Sequence, residues 1–169
     1  APEDEGSDDA GMTARDGGRS DGSVAGDSGT SASRERVRIE LTASDAICND
    51  GSPGVYYLRP GAGTGRNRWV VYLMGGRMCW DTESCDTRSR ATPVLMGTAS
   101  MPEFIGGIQS TSESDNPDFA TWNHVFVHYC SSDLWSGDRA ASAETGNFHF
   151  RGRRILAAVI QDLTTGKLS

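Results

Sequence analysis

Apolar and polar positions alternate in RVRIELT (36–42), where Val37, Ile39 and Leu41 are separated by charged or polar neighbours. That period of two predicts a half-buried strand, placed near a sheet edge. VYYLRP (55–60) reads as a second strand. WVVYLM (69–74) is apolar throughout, the pattern expected of a central strand covered on both faces. HVFVHY (124–129) is its expected partner, with Val125 and Val127 on one face and Phe126 and Tyr129 off it. In FRGRRILAAVIQDLTTGKLS (150–169) the apolar positions switch to helical spacing. Gly152, Ile155, Leu156, Val159, Ile160 and Leu163 share one face, Arg153, Arg154 and Asp162 face water, and Gly166 reads as the stop.

The connections complete a fold class. PGAGTGRN (60–67) is expected to turn the chain back as a hairpin; it lacks the Gly-Lys-Ser/Thr ending of a phosphate loop. Residues 77–123, with Pro93, Pro102 and Pro117, read as a long loop-rich excursion of the kind that usually carries function. Strand, long loop, strand, loop and helix in that order predict an α/β sheet with crossover helices. The expected division is a Gly/Ser/Asp-rich tail or linker over 1–34 and a catalytic-domain portion over 35–169. Residues 1–33 have no aromatic side chain and only Met12 and Val24 among the larger aliphatics, so the tail is expected to be disordered. Within it, GDSGT (26–30) imitates a serine-protease motif, but Ser28 there has no rigid scaffold, His or buried Asp to activate it.

Charge adds little. The net charge is −7, of which eight acidic and two basic residues in 1–33 contribute −6; from residue 34 onward 14 basic and 15 acidic residues give −1. No basic stripe suggests nucleic acid, and no apolar run reaches the ~20 residues of a membrane span. Cys48, Cys79, Cys85 and Cys130 contain no CxxC and fit no common zinc spacing, so neither a metal nor a cofactor is expected. If all four are oxidised, three pairings are open. Cys79 and Cys85 could close a short loop, and Cys48 and Cys130 could tie a loop to the carboxyl edge of the sheet. Oxidised cysteines point to a secreted or periplasmic protein.

The candidate chemistry sits at Gly75 and Gly76. Paired glycines leaving a strand permit unusual backbone angles and close approach, and amides exposed there can face a developing oxyanion; an ordinary tight turn would look the same. His124 and His128 share a face of their strand, neither at its carboxyl end, and read as structural; His149 reads as exposed or capping. No His is paired with a Ser or Cys nucleophile, and G-x-S-x-G is absent.

Four stretches, CNDGSPGVYYLRP (48–60), WVVYLMGGRMCW with Cys85 following (69–85), NPDFATWNHVFVHYCSSDLWSGD (116–138) and FHFRGRRILAAVIQDL (148–163), resemble the pectin acetylesterase and Notum family over roughly 45–169. The resemblance implies part of an α/β-hydrolase sheet and ester hydrolysis by a Ser–Asp–His triad. Its serine would sit in a G-x-S-A-G-G elbow beyond this chain, so the chain alone is expected to be inactive. It further implies that Gly75, Gly76 and Arg77 form the oxyanion turn, that Trp135 lines or supports the pocket, and that the disulfides are Cys48–Cys130 and Cys79–Cys85. Met74 replaces the Glu frequent before the glycines, and Arg77 replaces Gly or Trp after them. An amide donor survives any side chain but Pro. A guanidinium at the pocket mouth disfavours a long acyl chain and suits an acidic polysaccharide.

The expected function is therefore a secreted serine esterase, monomeric at full length, that deacetylates a polysaccharide without a cofactor. The alternatives are a Notum-like deacylase of a lipidated protein and a non-catalytic, disulfide-stapled binding module.

Overall fold

A computed structural model describes residues 35–98 and 106–165. The expectations for 1–34, Ser28 and Gly166 lie outside these described residues. Among them are four strands, β1 (Val37–Glu40), β2 (Val55–Arg59), β3 (Trp69–Leu73) and β4 (Asn123–Val127), and two α-helices, α1 (Thr82–Ala91) and α2 (Gly152–Thr164).

The strands form one mixed sheet in the order β1-β2-β4-β3. β1 and β2 pair antiparallel, as do β2 and β4; β3 runs parallel to β4, with Val71 beside Val125 and Leu73 beside Val127. Two expectations change here. The 60–67 segment does not close a hairpin, because β4 lies between β2 and β3 and hydrogen-bonds to both. Nor is β3 central: it pairs with β4 alone among the described strands, and Trp69, Val71 and Leu73 remain 41–48% exposed. β4, flanked on both sides, is buried at all five positions.

α2 covers one face of the sheet. Its Ile155, Ala158 and Val159 pack with Tyr56, Leu58, Val125 and Val127, and the Cys48–Cys130 disulfide lies in the same core. Full burial of a side chain such as Ile155 contributes about 1.5–3 kcal/mol. Two positions depart from the expected helical faces. Ile160 is 60% exposed and Ala158 takes its place against the sheet. Asp162 is half-buried beside Tyr56; burial, and then the Asp162 carboxylate, push that phenol up to about 12.

The 77–123 excursion is not all loop, since α1 occupies ten of its residues. Asp81 starts that helix as a capping box: its carboxylate accepts from Ser84 N–H at 2.7 Å, and Ser84 Oγ accepts from Asp81 N–H at 3.1 Å. The Ser84 side chain and then its backbone N–H hold the Asp81 carboxyl below its ordinary value. Cys85, the helix's buried residue, is bonded to Cys79 and packs with Met96 in a small second cluster against Phe148 and Phe150.

Candidate functional site

Parallel pairing brings the carboxyl ends of β3 and β4 to one sheet edge, where α/β proteins build their sites. Met74 N–H makes a last bond to Val127 O at 3.1 Å; beyond it, the N–H groups of Gly75, Gly76 and Arg77 have no main-chain acceptor among the described residues. The glycine pair divides its expected roles unequally. A Cβ on Gly76 would lie 2.6 Å from Tyr129 Cδ1, so that position must be bare. A Cβ on Gly75 would meet nothing within 4 Å. Neither glycine is left-handed; the unusual backbone angle belongs to Arg77, at φ 61. The turn is thus made by Arg77, and Gly76 serves the aromatic ring beneath it.

That ring belongs to the wall that follows β4. Tyr129 is buried, and its OH accepts from Leu134 N–H at 2.8 Å; burial raises its pKa. Trp135 stacks at a tilt on Tyr129, 5.1 Å between centroids, and its Nε1–H donates to Met74 O at 3.2 Å. Trp135 therefore supports the turn from below. The wall holds three non-glycine residues at positive φ, Ser132 (51), Leu134 (54) and Trp135 (66). Each such conformation costs on the order of 1–3 kcal/mol and persists only where surroundings enforce it.

Tyr129 OH holds Leu134, and Asp133 holds Trp135. Oδ1 accepts from Ser131 Oγ at 2.6 Å and Trp135 N–H at 2.9 Å, and Oδ2 accepts from Gly152 N–H at 2.8 Å. Because the α2 N-cap residue, Arg151, makes no side-chain cap, Asp133 supplies the negative charge that a helix start favours. Gly152 must be glycine for this, since a Cβ would lie 2.3 Å from Asp133 Oδ1.

Arg88 of α1 joins the turn to the wall. Its guanidinium donates to Gly76 O and, through Nε, to Ser132 Oγ at 2.8 Å. Burial lowers its pKa; Tyr129 opposes that effect and the nearby Arg77 cation reinforces it. Residue order alone gave no sign of Arg88, Ser132 or Asp133 as participants; the Asp81-x-x-Ser84 capping box was the one local signal that a helix would present Arg88 here. Beside these groups opens a groove of about 790 Å³ lined by Gly76, Arg77, Met78, Trp80, Arg88 and Leu95, among others. Arg77 is exposed within it.

His124 and His128 lie in the interior, and His149 is half-buried. His128 directly follows Val127 and so does sit at the carboxyl end of its strand, contrary to expectation. Its Nε2–H donates to Gly97 O at 2.9 Å. His124 lies between the carbonyls of Gln109 (Nδ1, 3.2 Å) and Phe119 (Nε2, 2.6 Å). Burial lowers the pKa of both. His149 Nδ1 accepts from Ala141 N–H at 3.2 Å. Among the described residues no serine hydroxyl is bonded to a histidine, and no three His, Cys, Asp or Glu side chains are grouped to hold a metal.

Residues 31–169 match the family model for pectinacetylesterase. The chain is 40% identical over 124 residues to the palmitoleoyl-protein carboxylesterase NOTUM of Schmidtea mediterranea, covering 72% of this chain and 23% of that protein. It is 35% identical over 127 residues to pectin acetylesterase 11 of Arabidopsis thaliana, covering 75% and 32%. Among solved structures, the Wnt deacylase Notum from Drosophila superposes with a TM-score of 0.70 at 36% identity, over 76% of this chain and 37% of that one. The chain thus spans between about a quarter and a third of the length of these curated relatives.

Proposed function

The chain belongs to the pectinacetylesterase family, and on that footing we propose that it forms the oxyanion-binding side of a secreted esterase that removes acetyl groups from a polysaccharide. A serine, supplied with its His and Asp by polypeptide beyond these residues, attacks the acetyl carbonyl. The Gly76 and Arg77 amides donate to the tetrahedral oxygen that forms. One observation carries this reading: at the shared carboxyl edge of β3 and β4, the main chain leaves its ladder after Met74 and presents amides that no main-chain carbonyl takes. Two disulfides fit an oxidising compartment.

Polysaccharide is favoured as substrate by Arg77, an exposed cation on the groove. A guanidinium pairs bidentately with a carboxylate and is costly to desolvate against an acyl chain. Deacylation of a lipidated protein is the second reading, favoured by the 40% identity to a palmitoleoyl-protein carboxylesterase.

The test is hydrolysis of p-nitrophenyl acetate by these residues within a polypeptide of the relatives' full length. The chain alone is expected to be inactive. Gly76→Ala, which drives a methyl into Tyr129 and displaces the amides, is expected to lower kcat by ~10²–10³-fold. Arg77→Gly keeps both donor and turn and is expected to hydrolyse the small ester normally. Full activity in Gly76→Ala would remove the oxyanion assignment. Faster cleavage of a palmitoleoyl ester than of an acetylated glycan would select the second reading.

A further inference from the structure

Among the described residues Trp80 is the most exposed large apolar side chain, at 76%. Nothing in the packing of the described residues accounts for it, yet its backbone is held on both sides. Cys79 on one side is bonded to Cys85, and Asp81 on the other begins the capping box of α1. Trp80 N–H itself donates to Ser84 Oγ at 3.1 Å. An indole left in water on a rigid mount, in the same groove as Gly76 and Arg77, has the makings of a recognition surface.

The chemistry of the groove selects the ligand. Asp81, Glu83, Ser84 and Thr87 line the same groove as the indole, together with the apolar Met78, Ala91 and Leu95. Asp81 is committed to the helix cap, whereas Glu83 makes no hydrogen bond or ion pair among the described residues and is exposed. An acyl chain would leave these groups desolvated and unpaired. A sugar ring matches both kinds of surface: its C–H face lies against the indole, and its rim of hydroxyls meets the polar side chains. Arg77, a cation on the same groove, suits a carboxylate borne on the glycan.

We propose that Trp80 is the stacking platform of a glycan subsite, on which one sugar of an acidic polysaccharide rests while another unit presents its ester to the Gly76 and Arg77 amides. The subsite rests on the esterase reading for its place in a reaction, but binding and hydrolysis can be measured separately. The direct test is the migration of the 169-residue chain in native gels cast with polygalacturonate. The wild-type chain should be retarded, Trp80→Ala should lose at least 10-fold in apparent affinity, and Trp80→Phe, which keeps an aromatic face, should retain most of it. Circular dichroism of each variant checks that the fold persists. Equal retardation of wild type and Trp80→Ala would overturn the platform, as would no retardation of wild type or equal loss in Trp80→Phe. So would a Trp fluorescence shift with decanoate but none with oligogalacturonate. Ester hydrolysis by the full-length polypeptide in any of those cases would leave the oxyanion turn standing without the subsite, and its absence beside Trp80-dependent retardation would leave the subsite standing without the esterase.

Discussion

Two loops leave adjacent parallel strands at the same edge, and they are built on opposite terms. After β4, the wall at 131–135 is saturated: Asp133 accepts three hydrogen bonds, Tyr129 OH takes Leu134 N–H, and Ser131 and Ser132 are buried. After β3, the turn at 75–77 carries amides without main-chain acceptors, one left-handed arginine and a groove open to solvent. The first loop stores strain and restrains it with polar bonds; the second receives that rigidity through Arg88 and Trp135 and leaves its own donors vacant. Preorganised donors are effective because nothing must reorganise when charge develops. The contrast is therefore one of support against display.

The comparison breaks most severely at Asp133. Asp133→Ala removes the partner of Ser131 Oγ, Trp135 N–H and Gly152 N–H together, and should destabilise the fold by about 3–5 kcal/mol in urea unfolding. Arg88→Leu leaves Gly76 O and Ser132 Oγ without their donor and should cost about 2–3 kcal/mol. Acid should act on the support and hardly on the display. Burial lowers the pKa of His124 and His128, so the unfolded chain binds more protons than the folded one below its ordinary value of 6.5. Stability should therefore fall as pH drops from 6.5 toward those depressed values, by at most about 1.4 kcal/mol per pH unit for each histidine. Asp138 adds a later step. Hydrogen bonds from Arg154 and then Arg151 lower its carboxyl from 3.8 to about 2, so its contribution is complete above 3.8 and vanishes as pH falls through 2. Thermal melting across pH 7 to 2 would show both windows; a flat profile between 6.5 and 5 would contradict the account of the histidines. The smallest effects lie in the turn. Arg77→Gly should stabilise by up to about 1 kcal/mol through relief of a left-handed side chain, and Gly75→Ala should change stability by under about 0.5 kcal/mol.

Much of this support was not legible in the amino-acid order. The strands were, because alternation in 36–42 and continuous apolarity in β2 and β4 report burial directly. The place of β3 was not: WVVYL reads as buried on both sides, but strand order is decided by β4, which begins fifty residues after β3 ends and inserts between β2 and β3. α1 was missed because Cys85 is its sole buried residue, which leaves no apolar period to detect. Ile160 kept the helical spacing of its neighbours yet points off the sheet, since Ala158 and Val159 already fill the contact. At the site, Gly75 and Gly76 are legible as paired glycines after a strand and Arg77 and Trp135 through the family resemblance, but the assignment of strain to Arg77 rather than to a glycine requires the backbone. Asp133 bonds a residue 19 positions away and Arg88 one 44 positions away, and such bonds have no signature in local order.

One bond has a geometric corollary. The carbonyl of Gly76, held by Arg88, and the N–H of Arg77 belong to a single amide unit, and a trans amide is a rigid plate whose two ends point in opposite directions. Anchoring the oxygen on one side therefore aims the hydrogen on the other, as a hand on a weathervane's tail sets its head. Loosening of α1 would let this plate swing well before the sheet gave way, so the aim of the donor is only as steady as a helix that never touches the reacting atoms.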